Sequence, residues 1–310
     1  MTNDSYSQML KMLKRAKGTN VLALPQIAAR VLDLSRDPEA GPREFSAVIA
    51  ADIGLTTQIL RFVNSSYFGF RQKIKTLRAA LSLVFGRTIK NFILWNAVFA
   101  LLPNPKCGPF ELTTLSQDSL RRGLFAREIG MHYSGTDAEA LFLAALFQDV
   151  ALPILAESMP GKYELLLKRR EQTGRRLSKI EMETFGWTHA EASAVLLQEW
   201  GFDDSLATLV ESHSEADFDV NPQTDKKEVL EKTVIILSGL LPSVADADWK
   251  EGDQFFNMYF RFHRKGVPYP DAVFSRIEEA LHELSGISYI NNQSARNFKM
   301  FHQQWLETFE

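Results

Sequence analysis

The sequence is short of most features that assign a function early. Cys107 is its only cysteine among 310 residues, so no intrachain disulfide can form and a paired-cysteine metal knuckle is excluded. It sits in Pro103-Asn104-Pro105-Lys106-Cys107-Gly108-Pro109, which reads as a turn carrying an ordinary loop cysteine rather than an activated thiol. Long apolar runs are missing too. The stretch Phe92 to Leu102 is 11 residues long and holds Asn96, whereas a bilayer span takes about 20. Met1-Thr2-Asn3-Asp4-Ser5 is polar and lacks the apolar core of a secretory signal. Neither a phosphate-binding loop nor a dinucleotide glycine signature is present, and no nucleophile with a paired base can be read. A soluble, cytoplasmic protein with no membrane partner is expected.

What is present is ordinary for a globular protein: 45% hydrophobic and 24% charged residues, with 35 basic against 38 acidic side chains for a net charge of −3. A chain of this length can bury about 75% of its unfolded surface. Helical periodicity runs through it. Pro25 opens a segment with Ile27, Val31, Leu32 and Leu34 on one side, and Pro42 opens another with Phe45, Val48 and Ile49. Leu55, Ile59, Leu60 and Val63 make a third, broken by Asn64-Ser65-Ser66. Thr76 can cap the next helix, and after Gly86 the run Ile89 to Leu102 is apolar nearly all round, as a buried helix is. The proline-rich stretch 103–109 is the clearest interruption. Periodicity resumes through Leu120, Leu124 and Ile129, then from Ala138 to Leu155, and in short helices around 163–170, 178–185, 189–200 and 206–213. Ser214 to Lys227 reads as a polar loop, and aromatics recur at helical spacing beyond Leu241 (Phe255, Phe256, Tyr259, Phe262). No convincing period-two alternation and no internal repeat is found. The expected fold is all-α.

Leu24-Pro25, Asp52, Leu60-Arg61, Asn64-Ser65-Ser66-Tyr67-Phe68-Gly69, Lys73-Ile74, Ala79-Ala80 and Gly86 together closely resemble the HDOD domain of bacterial signalling proteins, and Gly186-Trp187-Thr188-His189-Ala190-Glu191 with Trp200-Gly201 extends the likeness. The resemblance covers roughly residues 20 to 240. It implies a multi-helix bundle related to the HD phosphohydrolases, with residues 1–19 as a lead-in helix, 20–240 as the HDOD domain and 241–310 as an additional helical C-terminal segment.

True HD enzymes hydrolyse phosphate esters with one or two divalent metals held by imidazoles and carboxylates. By the resemblance, their His-Asp pair falls here at Gln148-Asp149, and Gln148 offers only a neutral amide. An upstream histidine would be expected where the chain has Asp118, and a final aspartate where it has Gly239. Asp149, His189 and His213 remain at positions resembling the family's polar residues. Asp118, Asp149, His189 and His213 are therefore the remnant candidates that could hold a single divalent metal, Asp118 with Asp149 and His213 forming a legitimate ligand set if they converge. The opposing reading satisfies a lone Asp in an apolar helix with a backbone amide or an arginine, Arg121 and Arg122 being nearby in sequence, and lets the two histidines satisfy backbone groups near helix ends. His132, His263, His282 and His302 show no ligand spacing. No catalytic residue and no resident cofactor is expected, and the reading is a non-catalytic regulatory module working through protein contacts. A divergent metal-dependent phosphohydrolase and a nucleotide- or anion-binding sensor are its rivals.

The small net charge hides an asymmetry. From Ile53 to Phe110 there is no Asp or Glu, while Arg61, Arg71, Lys73, Lys75, Arg78, Arg87, Lys90 and Lys106 give +8, leaving −11 for the remainder. Arg71, Lys73, Lys75 and Arg78 cluster after the NSSYFG element as a candidate face for an anion or an acidic protein partner. Tyr67, Phe68 and Phe70 beside them could form a stacking platform, but the resemblance assigns them to a tight turn and the core, and nucleic acid is disfavoured as a partner.

Overall fold

The computed structural model describes residues 3–14, 23–84, 86–105, 107–108, 110–215, 227–243, 249–263, 265–285 and 303. Most of the expected polar loop after Ser214, and the tail from Asn291 apart from Gln303, lie outside them. All regular elements among the described residues are helices. The chain falls into two compact units, divided at Leu101 and Leu102 on the edge of the proline-rich interruption.

The first unit spans Leu24–Leu101 together with the end of the last helix. It contains α2 (Gln26–Arg36), α3 (Pro42–Ile49), α4 (Ile53–Val63), α5 (Leu77–Val84) and α6 (Arg87–Phe99), with α1 assigned to Asn3–Lys14 in the other unit. Each start has a local cause. Pro25 precedes α2 and its carbonyl takes the Ala29 amide at 2.8 Å. Pro42 opens α3, with Glu44 reaching back to the Gly41 amide at 2.9 Å. Asp52 caps α4 by accepting the Leu55 amide at 2.9 Å.

Asn64 then organises the connection to α5. Its amide nitrogen donates to the Leu60 and Ile74 carbonyls at 2.7 and 2.8 Å, and its oxygen accepts the Ile74 amide at 2.7 Å. Gly69 turns the chain at φ +63°, a conformation that favours glycine. Phe62 stacks on Phe92 with ring centroids 3.9 Å apart, and Tyr67 and Phe68 pack against Phe62. The two aromatics, both half-buried, thus cover the core of this unit, while Phe70, 40% exposed, lies over Phe68.

The other unit is built on Leu102–Phe274 with α1. Its helices are α7 (Leu112–Met131), α8 (Ala138–Phe147), α9 (Leu152–Ser158), α10 (Pro160–Thr173), α11 (Leu177–Phe185), α12 (His189–Glu199), α13 (Asp204–Ser212), α14 (Lys227–Gly239) and α15 (Gly252–Phe262); α16 (Pro270–Ser285) begins in it. α7 and α8 approach closely at two glycines. A Cβ on Gly123 would lie 2.9 Å from Leu146, and one on Gly130 2.7 Å from Leu141.

The expected continuous helix from Ala138 to Leu155 is instead broken at Gln148–Ala151. Pro153 has no N–H to offer the Asp149 carbonyl, which accepts the Leu152 amide at 3.0 Å. The segment 138–158 also corrects the estimate of the longest apolar stretch. Its mean hydropathy reaches 1.7, but 78% of that window is buried inside the protein, as the central helices of a packed core are.

Cys107 is buried in a turn, with its thiol 3.7 Å from the Pro160 carbonyl. Burial, and then the charge of Glu164, push the thiol above its ordinary range, so it is poorly nucleophilic.

Candidate functional site

Three helix ends meet inside the larger unit. The break after α8 frees Asp149 from helical geometry. His189 is the first residue of α12, whose start is set by a capping box: Thr188 accepts the Glu191 amide at 3.2 Å and Glu191 accepts the Thr188 amide at 2.7 Å. His213 ends α13, which Asp203 caps by accepting the Leu206 amide at 2.9 Å. The three side chains converge within a buried pocket, with His213 only 2% exposed. His189 Nε2 lies 3.3 Å and His213 Nε2 3.4 Å from Asp149 Oδ1, and the two Nε2 atoms are 3.1 Å apart.

The other ring nitrogens are committed elsewhere. His189 Nδ1 lies 2.5 Å from Glu181 Oε2, and His213 Nδ1 lies 2.6 Å from the Val210 carbonyl. Those partners are acceptors, which places the Nδ1 proton on each ring and turns both Nε2 atoms inward. Glu181 is itself fixed. It accepts the His189 backbone amide at 2.8 Å and the Tyr163 hydroxyl at 2.8 Å. A buried carboxylate on Nδ1 with Nε2 presented to a shared centre is the usual support for a metal-ligating histidine.

The donor set fits a cation. Donors about 2.1 Å from one ion at tetrahedral angles lie about 3.4 Å apart, and the three separations are 3.1, 3.3 and 3.4 Å. Without a cation, a proton takes its place. Burial alone would lower the His189 pKa, but the charge of Glu181 and hydrogen bonds to Asp149 and Glu181 raise it to about 9. Burial lowers His213 despite its bonds to Asp149. For Asp149, burial acts upward, but Arg122 and the two imidazoles outweigh it and hold the carboxyl well below the usual range.

The remaining positions expected to carry ligands are engaged otherwise. The Gln148 carbonyl oxygen accepts from Ser238 at 3.0 Å. Asp118 stands apart from the trio, bound to Arg121 at 2.9 Å and accepting from Ser243 at 2.5 Å. At Gly239 a Cβ would already meet the His213 carbonyl at 3.1 Å. Arg122 forms an ion pair with Asp149 Oδ2, the oxygen turned away from the histidines.

Asp118, Arg122, Gln148, Asp149, His189 and His213 line one cavity of about 110 Å³, and Arg170, Arg176, Ser178 and Glu251 border it as well. Burial lowers the Arg176 pKa, with Glu251 opposing and Arg122 and Arg170 adding to the fall. Sequence reasoning named Asp118, Asp149, His189 and His213. It missed Glu181, Arg176 and Ser178, for which the only signal was position: Glu181 lies on α11, the helix before the one His189 opens, and the other two stand at the start of α11.

In the smaller unit, Arg71, Lys73, Lys75 and Arg78 are exposed, and none has an ion-pair partner among the described residues. The signature residues nearby act structurally, as caps, turn and core.

A family model for the HDOD domain matches residues 21–216. A curated uncharacterized protein of Treponema pallidum (strain Nichols) is 23% identical over 199 residues, covering 61% of this chain. The match takes in only 37% of that relative's length. Among solved structures, a candidate phosphohydrolase from Shewanella amazonensis SB2B superposes with a TM-score of 0.63 at 16% identity, covering 94% of this chain and 97% of the other. An HDOD domain protein of unknown function from Geobacter sulfurreducens gives 0.61 at 15% identity, over 97% and 96%. A candidate signal transduction protein from Marinobacter aquaeolei VT8 gives 0.65 at 18% identity, over 94% of this chain and 66% of that one. At these identities the likeness is one of fold.

Proposed function

Because the chain belongs to the HDOD domain family, we propose that it is a cytoplasmic regulatory module of bacterial signal transduction, acting through protein contacts and holding one divalent metal without a hydrolytic centre. Asp149, His189 and His213 would hold the ion, with Glu181 and the Val210 carbonyl orienting the imidazoles. Bound there, a divalent ion supplies Lewis acidity and a fixed positive charge.

One observation carries the reading. A carboxylate shared between two metals needs one oxygen for each, and Arg122 occupies Asp149 Oδ2. The guanidinium thus fills the place of a second cation, and Gln148, Asp118 and Gly239 contribute nothing that would displace it. The protein contacts are assigned to the exposed basic face of Arg71, Lys73, Lys75 and Arg78, which suits an acidic partner surface.

The test is metal analysis of the purified chain with turnover assays on a simple phosphodiester, a phosphomonoester and cyclic dinucleotides. At most one divalent ion per chain and no metal-dependent turnover are expected. Robust turnover that Asp149→Ala abolishes would replace this reading with its rival, a divergent phosphohydrolase. That rival draws on a specific feature, the shared cavity that places Arg122, Arg170 and Arg176 beside the donor trio.

A further inference from the structure

Two residues that line the cavity carry polar atoms with no partner among the described residues. Arg176 Nη1 and Ser178 Oγ are both fully shielded and have no hydrogen-bond partner, and both residues line the cavity. Ser178 is 4% exposed. An unmet buried donor carries a free-energy penalty, which an ordered water or a ligand in the cavity would relieve.

Charge matching singles out the same spot. Each carboxylate on the cavity wall has its own arginine: Asp118 with Arg121, Asp149 with Arg122, and Glu251 with Arg170 at 2.6 Å. Arg176 has no ion pair of its own among the described residues, although Glu251 and Asp149 act on its charge. Its Nη2 donates to the His213 carbonyl at 2.9 Å, which anchors the guanidinium at the cavity.

The backbone adds to this. Arg176 is the N-cap residue of α11, Leu177 and Ser178 are its first two residues, and no side chain caps that end. All three residues border the cavity. The N-terminus of a helix presents amide N–H groups and the positive end of its dipole to whatever lies in front.

We propose that the α11 N-terminus, Arg176 and Ser178 form a subsite for a tetrahedral oxyanion, the phosphoryl group of a small phosphorylated ligand. A guanidinium, a hydroxyl and helix-terminal amides are all donors, and a phosphoryl group offers three or more acceptor oxygens to such a set. The cavity has room for an oxyanion with a few waters. Such a ligand would place its charge beside His213 and connect the metal site to a chemical signal. The assignment rests on reading this cavity as the regulatory site, but the binding itself needs no metal.

The experiment uses the full chain treated with a chelator and titrated with inorganic phosphate, read by calorimetry and by the thermal midpoint. Saturable binding with a raised midpoint is expected, with sulfate competing and acetate failing to compete. Arg176→Met should weaken phosphate at least tenfold. Ser178→Ala deletes a hydroxyl that has no internal partner, so it should fold as well as the wild type while losing most of the phosphate-induced rise.

If phosphate does not bind, or binds Arg176→Met and Ser178→Ala as tightly as the wild type, the subsite is overturned. Cobalt titration of the same samples separates the two readings. Lost phosphate binding with cobalt retained removes the subsite alone. Lost cobalt binding with phosphate retained removes the metal site alone.

Discussion

His189 and His213 point their Nε2 atoms at each other across 3.1 Å, with Asp149 Oδ1 at 3.3 and 3.4 Å from them. Two imidazole lone pairs repel at that distance unless a positive species sits with them. The protein has arranged for this from outside, because Glu181 and the Val210 carbonyl take both Nδ1 protons. At His189 a proton is that species, and the proposed metal ion would compete with it for one place.

Glu181 governs that place without touching its centre. Glu181→Gln keeps the shape but removes the charge that makes His189 a strong donor. Cobalt affinity should fall about 10- to 100-fold, whereas His213→Ala should abolish stoichiometric binding. Titration followed by visible absorption reads both.

In the chelated protein, stability should follow His189. Its folded pKa of about 9 lies above the ordinary 6.5, so its contribution is complete below pH 6.5 and is lost as pH rises from 6.5 through 9. The loss is on the order of 3 kcal/mol. His213 and Asp149 have lowered values, so they withdraw stability on the acid side. Thermal midpoints should therefore peak near neutrality and fall towards pH 9, and the alkaline fall should vanish in His189→Gln.

Arg122→Met should separate charge from packing. Removing one partner of a buried ion pair costs about 3–5 kcal/mol, read as a lower urea midpoint. The freed Asp149 oxygen should at the same time raise affinity for divalent metal, because a competing cation has gone. Unchanged metal affinity would show that the guanidinium does not hold a cation's place.

The smaller unit depends on Asn64. Asn64→Ala deletes two hydrogen bonds across the loop to Ile74 and one to the Leu60 carbonyl and should cost about 2–3 kcal/mol. Asp52→Ala, which removes only a helix cap, should cost about 1 kcal/mol. Denaturant unfolding with Trp95 emission as the probe compares them.

Much of this was legible in the chain. Helical spacing located nearly every helix, because amphipathic periodicity survives wherever one face is buried. It failed at 148–151, where the apolar pattern resumes directly after Gln148-Asp149 and only Pro153 betrays the break. His189 and His213 were visible as imidazoles near helix ends, and Asp149 as a carboxylate inside an expected helix that the family resemblance singled out. Their convergence was not, since it depends on how α8, α12 and α13 pack. Glu181 was hidden for a plainer reason. A carboxylate on a helix reads as a solvated face until packing buries it, and here Tyr163 and His189 meet it inside. That Arg176 has no ion pair of its own among the described residues could not be read either, because it emerges only when each cavity acid is matched to its partner.

The two glycines of α7 that face α8 fix where the buried charge pair forms. At Gly123 and Gly130 a Cβ would fall 2.9 Å from Leu146 and 2.7 Å from Leu141, so any larger residue there would force the two helices apart. Arg122 is the neighbour of Gly123, and Asp149 lies two residues past the end of α8. The spacing of two helices is thus written into the ion pair that joins them, and an added methyl group at either glycine would be felt first between Arg122 and Asp149.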